Sequence, residues 1–165
     1  MAEVTLRIGI MSARELAPAD KDGFSDPYAV IRIANKKYET EIQKKTLNPI
    51  WNKFFDVKIS ENNVPPHVTI TVWDHDRFGR DFLGEVTIPI KQVFARNNGG
   101  LNDGCPRTYD DHENLPAAYT LQKRSAKNDV RGDVVLKFGI IDANNRSLEE
   151  LSYLWENLTN HVNKG

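Results

Sequence analysis

Residues 68-VTITVWDHDRFGRDFLGE-85 open with Val68, Ile70 and Val72 alternating with polar neighbours. That is the period of a half-buried β-strand, and strand-like patterning resumes at 84-GEVTIPI-90. Between the two runs stand Asp74, Asp76 and Asp81, a crowding of like charge that is costly unless something positive sits among them. Asp74 and Asp76, two apart at a strand end, point the same way, and Asp81 can fold back toward them through a turn at Gly79. Asp76, Gly79 and Glu85 nearly spell an EF-hand loop counted from Asp74. However, Phe78 occupies a ligand position, the flanks are β-formers, and Pro89 would break an exiting helix.

Working outward, the same alternation appears in 4-VTLRIGIM-11, where Val4, Leu6, Ile8 and Ile10 share one face. Further strand-like runs are 28-YAVIRI-33, 37-KYETEIQ-43, 54-FFDVKI-59, 118-AYTLQ-122 and 133-DVVLKFGII-141. About eight short strands separated by Gly, Pro, Asn and Asp predict an all-β fold, an eight-stranded antiparallel β-sandwich. A helical turn at 91–95 should precede a long polar surface loop over 95–116. The tail changes period. Leu148, Leu151, Leu154, Trp155, Leu158 and Val162 fall on one helical face behind a Ser147/Glu150 capping box. This predicts a C-terminal α-helix whose stripe either packs on the sandwich or meets a partner protein or adjacent domain. The expected division is a β-domain over residues 1–143 and a helical extension over 144–165.

With 165 residues the chain suffices for one domain. A formal net charge of −1 gives no global reason for a nucleic-acid partner, so electrostatic function must come from local clusters. The single cysteine, Cys105, cannot build a disulfide framework, which points to a reducing, cytoplasmic setting. No apolar run reaches the length of a membrane span, and no secretory h-region opens the chain. The sequons at Asn145 and Asn157 are read as chance matches.

A second acidic group lies in 18-PADKDGFSDP-27, where Asp20, Asp22 and Asp26 surround Gly23 between two strands. Loops of a sandwich can meet at one end of it. Solvated turn aspartates are common, but two such loops together form a pool of hard anionic oxygens that suits calcium better than zinc. Calcium takes roughly six to eight oxygens, so these carboxylates with loop carbonyls could hold more than one ion.

Three separated motifs in order, 25-SDPY-28, 46-TLNPIWN-52 and 73-WDHDRFGRDFLGE-85, make residues 4 to 142 resemble a C2 domain. The resemblance implies a β-sandwich that binds phospholipid through calcium held at one end. Carried over by motif, the side-chain ligands would be Asp20, Asp26, Asp74, Asp76 and Asp81, with the backbone carbonyls of Lys21 and His75. The gap between Asp76 and Asp81 is shorter than in some members, and the role of the extra acid Asp22 is open. The strand order, with β-structure leading directly into the first acidic loop and an additional strand closing the chain, is similar to the family's type II topology. Phosphoinositide-binding members carry lysines where this chain has Glu39 and Glu41, so phosphatidylserine is the expected lipid.

Phe78 at the tip of the third loop is expected to enter the membrane interface. Phe24 either inserts too or packs beneath its own loop, while Arg77, Lys21 and Arg80 would meet lipid phosphate. The expected function is calcium-dependent binding of anionic membranes, as the targeting module of a larger intracellular protein recruited when calcium rises. A calcium-modulated protein-interaction module is the alternative. No nucleophile elbow, phosphate loop or Cys/His pairing appears, and His67, His75, His112 and His161 lack a catalytic context, so the chain is expected not to be an enzyme.

Overall fold

The structure, a computed structural model, describes residues 2–95 and 104–162. The strands are β1 (Glu3–Arg14), β2 (Pro27–Ile33), β3 (Lys36–Glu39), β4 (Ile50–Ser60), β5 (His67–Asp76), β6 (Gly79–Pro89), β7 (Ala117–Thr120) and β8 (Asp133–Ile140). The helix α1 (Leu148–Thr159) follows them. Two four-stranded sheets, β4-β1-β8-β7 and β3-β2-β5-β6, are antiparallel throughout. The alternation read from the sequence sets the faces. Val4, Leu6, Ile8 and Ile10 from β1, and Val68, Ile70 and Val72 from β5, are fully buried in one core with Val134, Leu136 and Ile140 of β8.

The architecture is the expected eight-stranded sandwich with a C-terminal helix, and local departures have identifiable causes. The run 37–43 yields only a four-residue β3, because the Thr40 hydroxyl accepts the Ala29 N–H at 2.8 Å and interrupts the ladder. The expected 91–95 turn is a 3-10 turn at Ile90–Gln92. Of the polar stretch 95–116, residues 96–103 lie outside the described residues. Of its remainder, Gly104, Cys105 and Pro106 lie beside Lys91 and Trp155, and the chain at 108–109 crosses the outer face of the first sheet. Thr108 makes a parallel bridge with Ile140, and Tyr109 crosses Gly9 and Gly139. A Cβ on Gly139 would come within 2.2 Å of the Tyr109 backbone, so neither a side chain nor a shift of that segment is tolerated there.

The helix stripe is mostly internal. Leu151, Trp155 and Leu158 are buried in the same core as the sheets, with the Trp155 ring edge-on to Phe94 at 5.1 Å. Leu148 alone of the predicted stripe is largely exposed. Ser147 and Glu150 form the predicted capping box, satisfying donors that a helix start leaves open. Among the described residues no helix is long and apolar enough to cross a membrane.

Because the strands alternate in direction, the connections 15–26, 40–49, 77–78 and 121–132 all emerge at one end of the sandwich. The helix and the 3-10 turn, which follow the far end of β6, lie at the other.

Candidate metal centre

The third acidic segment is a tight hairpin rather than an open loop. β5 runs on through Asp76, β6 starts at Gly79, and only Arg77 and Phe78 remain between them. Gly79 supplies a φ of +153° at the turn. A register shift between Val72 and Trp73 then sets Trp73 opposite Phe82 and Asp74 opposite Asp81. Asp81 therefore does fold back toward Asp74, and backbone pairing brings it there.

The first acidic loop is closed at its base by Ser25, which is fully buried. Its hydroxyl donates to the Ala17 carbonyl and accepts the Ala19 N–H, both at 3.0 Å. Within the loop the Asp20 N–H donates to the Phe24 carbonyl at 2.9 Å, and the Gly23 N–H to the Asp20 carbonyl at 3.1 Å. Asp22, the extra acid, accepts the Phe24 N–H at 3.0 Å. That is the local Asx bond of a tight turn. The loop exit joins β5 directly: the Asp26 N–H donates to Asp74 Oδ1 at 2.6 Å, and the His75 N–H donates to the Asp26 carbonyl at 2.9 Å.

Asp20, Asp26 and Asp74 are thereby brought together, with one carboxylate oxygen from each inside a 4.8 Å group. Asp26 is steadied from the third side by Lys45, whose N–H donates to its Oδ1 at 2.7 Å. The Thr46 N–H donates to the Ser25 carbonyl beside it at 2.9 Å. The 46-TLNP-49 segment thus docks the first loop, a role that its residue types alone do not indicate. Asp76 stays outside the triad. Its Oδ1 accepts the Phe78 N–H at 3.3 Å, although its charge still reaches Asp20. Asp81 is exposed at the rim.

Asp74 has no solvent exposure; among the described residues its buried Oδ2 meets no donor, and the Asp20 carboxyl beside it can bond it only when the pair holds a proton. An orphaned buried carboxylate oxygen beside two more carboxylates is costly unless a cation or a proton joins them. Burial pushes the Asp74 carboxyl up to about 6 against an opposing hydrogen bond from the Asp26 N–H, reinforced by the charge of Asp20, by a hydrogen bond shared with Asp20, and by the charge of Asp26. Burial raises Asp20 as well, against an opposing hydrogen bond shared with Asp74, and the charges of Asp26, Asp22 and Asp76 add to the rise. The donor set, hard oxygens with no sulfur or imidazole, fits calcium.

A pH prediction follows for the cation-free protein. A carboxyl whose folded pKa lies above its unfolded value favours folding fully below the unfolded pKa and loses that contribution as pH rises through the folded one. Stability in chelator should fall between about pH 4 and about pH 6 through Asp74. Asp74→Asn should be free of that decline. Melting temperatures of the two proteins should converge near about pH 4 and separate by pH 7, with the wild type lower.

The other site residues predicted from sequence surround this centre. Phe78 is 92% exposed and Phe24 44% exposed at the same end, and the Arg77 guanidinium lies 5.8 Å from the Phe78 ring centroid. Lys21 is exposed between Asp20 and Asp22. Arg80 is laid over the Trp73 ring at 3.8 Å, which commits its guanidinium to the outer face of the second sheet.

Comparison with known proteins agrees with this fold. The sequence model of the C2 domain matches residues 4–104. The chain is 37% identical over 89 residues to Ras GTPase-activating protein 4B of Homo sapiens, a match covering 53% of this chain and 11% of that protein. It is 37% identical over 93 residues to Synaptotagmin-2 of Mus musculus, covering 53% and 22% respectively. The chain thus spans about a tenth to a fifth of the length of these relatives. Among solved structures, the C2A- and C2B-domains of Extended-Synaptotagmin 2, calcium bound, superpose with a TM-score of 0.62 at 23% identity, covering 85% of this chain and 46% of that one. The C2A domain of plant Extended Synaptotagmin 1 gives 0.61 at 19% identity, covering 86% and 96%. An eight-stranded sandwich with acidic loops gathered at one end, matched by that sequence model over more than half its length, belongs to the C2 domain family.

Proposed function

We propose that this domain binds anionic phospholipid membranes in a calcium-dependent way and serves as the targeting module of a larger intracellular protein. The observation that carries the reading is the pairing of the Asp20, Asp26 and Asp74 triad, with its orphaned Asp74 Oδ2, and the bare Phe78 ring at the same end. Relatives that include a synaptotagmin, and a fold neighbour described as calcium bound, support it.

Asp20, Asp26 and Asp74 would hold the ion, with Asp76, Asp81 and the carbonyls of Lys21 and His75 available for further coordination or a second ion. When bound, calcium supplies positive charge at this end and open positions for a headgroup oxygen. Without it the loops present clustered carboxylates that repel a negatively charged bilayer. Phe78 would enter the interface between headgroups and acyl chains, and Arg77 beside it would meet lipid phosphate. Phe24 is half out of its loop and would add a smaller apolar contact. Phosphatidylserine is the lipid the arrangement favours, since Glu39 sits on the strand where phosphoinositide binders carry lysine.

Co-sedimentation with phosphatidylserine vesicles tests the reading. The protein should pellet in calcium and stay soluble in chelator. Calcium binding without pelleting would instead favour a calcium-modulated protein-interaction module. Phe78→Ala should weaken the calcium-dependent binding roughly tenfold, as expected for losing one inserted aromatic, while leaving calcium affinity in solution unchanged. Equal pelleting of the two proteins would exclude insertion by Phe78.

A further inference from the structure

The connection between β7 and β8 contains 123-KRSAKNDVRG-132, with Lys123, Arg124, Lys127 and Arg131 set against Asp129 alone. Its position follows from strand pairing. Asp133, at the start of β8, is opposite Arg14, the last residue of β1 before the first acidic loop. Gly132 lets the chains close on one another there. At φ +82° it lies so near the Arg14 carbonyl that a Cβ would fall 1.9 Å from that oxygen. This basic connection therefore emerges at the end that carries the acidic triad.

It is also held in place. Gln122 and Glu85 exchange backbone hydrogen bonds of 2.8 and 3.1 Å, joining the connection to β6 of the opposite sheet. Arg124 pairs with Glu85 and lies over the rings of Phe82 at 4.7 Å and Trp73 at 5.2 Å. Asn128 Oδ1 accepts the N–H groups of Arg124 and Ser125 at 3.0 and 2.9 Å. Lys127, Asn128 and Asp129 share a cleft with Ala17–Ala19 of the first acidic loop and Asp81–Leu83 of the hairpin. Arg131 is neutralised by Asp129 at 3.0 Å. Lys123 and Lys127 are exposed and have no ion-pair partner among the described residues.

From this placement we infer that the β7–β8 connection is a further membrane-facing loop, whose Lys123 and Lys127 bind anionic lipid headgroups beside the cation-gated loops. The inference rests on the proposed function. Charge complementarity and continuity with the Phe78 end favour a lipid surface over an acidic protein, because a bilayer met by Phe78 is met at the same end by this loop. Each exposed lysine near a negatively charged leaflet adds attraction that salt screens. While the neighbouring carboxylates are bare they oppose it, so the lysines amplify calcium-dependent binding without replacing it.

The test compares K123E/K127E with K36E/K58E, which makes the same change in net charge at the far end, where Lys36 is opposite Ile33 and Lys58 opposite Thr5. Affinity for phosphatidylserine vesicles is measured at saturating calcium over a range of salt, and calcium affinity is measured calorimetrically without vesicles. K123E/K127E should bind vesicles roughly tenfold more weakly than K36E/K58E, with a shallower salt dependence and undiminished calcium affinity. Equal vesicle affinities for the two variants would overturn the inference. A K123E/K127E protein that has lost calcium affinity in solution would overturn it too, since the lysines would then act through the acidic centre. Failure of the wild type to pellet in calcium would instead remove the underlying function along with it.

Discussion

Asp74→Asn combined with Asp76→Asn is expected to abolish calcium-dependent vesicle binding and, in chelator, to raise the melting temperature. Asp74 is the fully buried member of the triad, so its charge is neutralised only by what joins it there. An asparagine keeps the acceptor for the Asp26 N–H, which Asp74 now serves at 2.6 Å, and offers an amide N–H₂ in place of the orphaned oxygen. The cation-free site thus exchanges a repulsive carboxylate for a donor beside Asp20 and Asp26. A carboxyl held near about 6 rather than its usual value near 4 corresponds to roughly 3 kcal/mol of destabilisation above the higher pKa, which sets the scale of what the substitution relieves. Calcium affinity should fall on the order of a hundredfold or more, because site affinity follows the number of charged ligands. Calorimetry and thermal melts in calcium and in chelator give both signs. A double variant that still pellets with phosphatidylserine only in calcium would show that the cation is held elsewhere.

Much of the fold was legible because period-two alternation is unbroken where one face is buried. Val4, Leu6, Ile8 and Ile10 could not be displaced by one residue without reversing the whole face of β1. The acidic centre was legible in composition but not in geometry. Asp74 is far in sequence from Asp20 and Asp26, and only the pairing of Pro27 with Asp74 brings the first loop onto β5. Nothing in the sequence separated these three from Asp76, whose carboxylate caps the hairpin turn, or from Asp81 at the rim. The Lys45 N–H that fixes Asp26 is a backbone donor, carried by a residue in left-handed conformation at φ 53°, and side-chain patterns do not record such a donor. The basic β7–β8 connection was silent for a related reason. Its lysines become notable only once Asp133 is seen opposite Arg14, beside the acids.

Trp155→Ala should destabilise the domain by about 3–5 kcal/mol, the cost of a large buried ring removed from a packed core, although the residue lies beyond the stretch matched by the C2 sequence model. Trp155 is 5% exposed and shares the core with both sheets, packing edge-on against Phe94 next to the Ile90–Gln92 turn. Lys91 on that turn donates to Asn160 Oδ1 at 2.7 Å, a second tie between helix and sandwich. Calcium affinity should be unchanged, since the helix and the acidic triad occupy opposite ends. Trp155→Phe separates packing from polarity. The indole N–H is buried without a partner among the described residues, so phenylalanine keeps much of the ring volume and removes an unsatisfied donor, and its cost should stay within about 1.5 kcal/mol. Chemical denaturation of the three proteins decides whether α1 belongs to the sandwich. A loss below about 1 kcal/mol for Trp155→Ala would make residues 144–165 an independent extension, free to leave the domain and bind a partner through the stripe now turned inward.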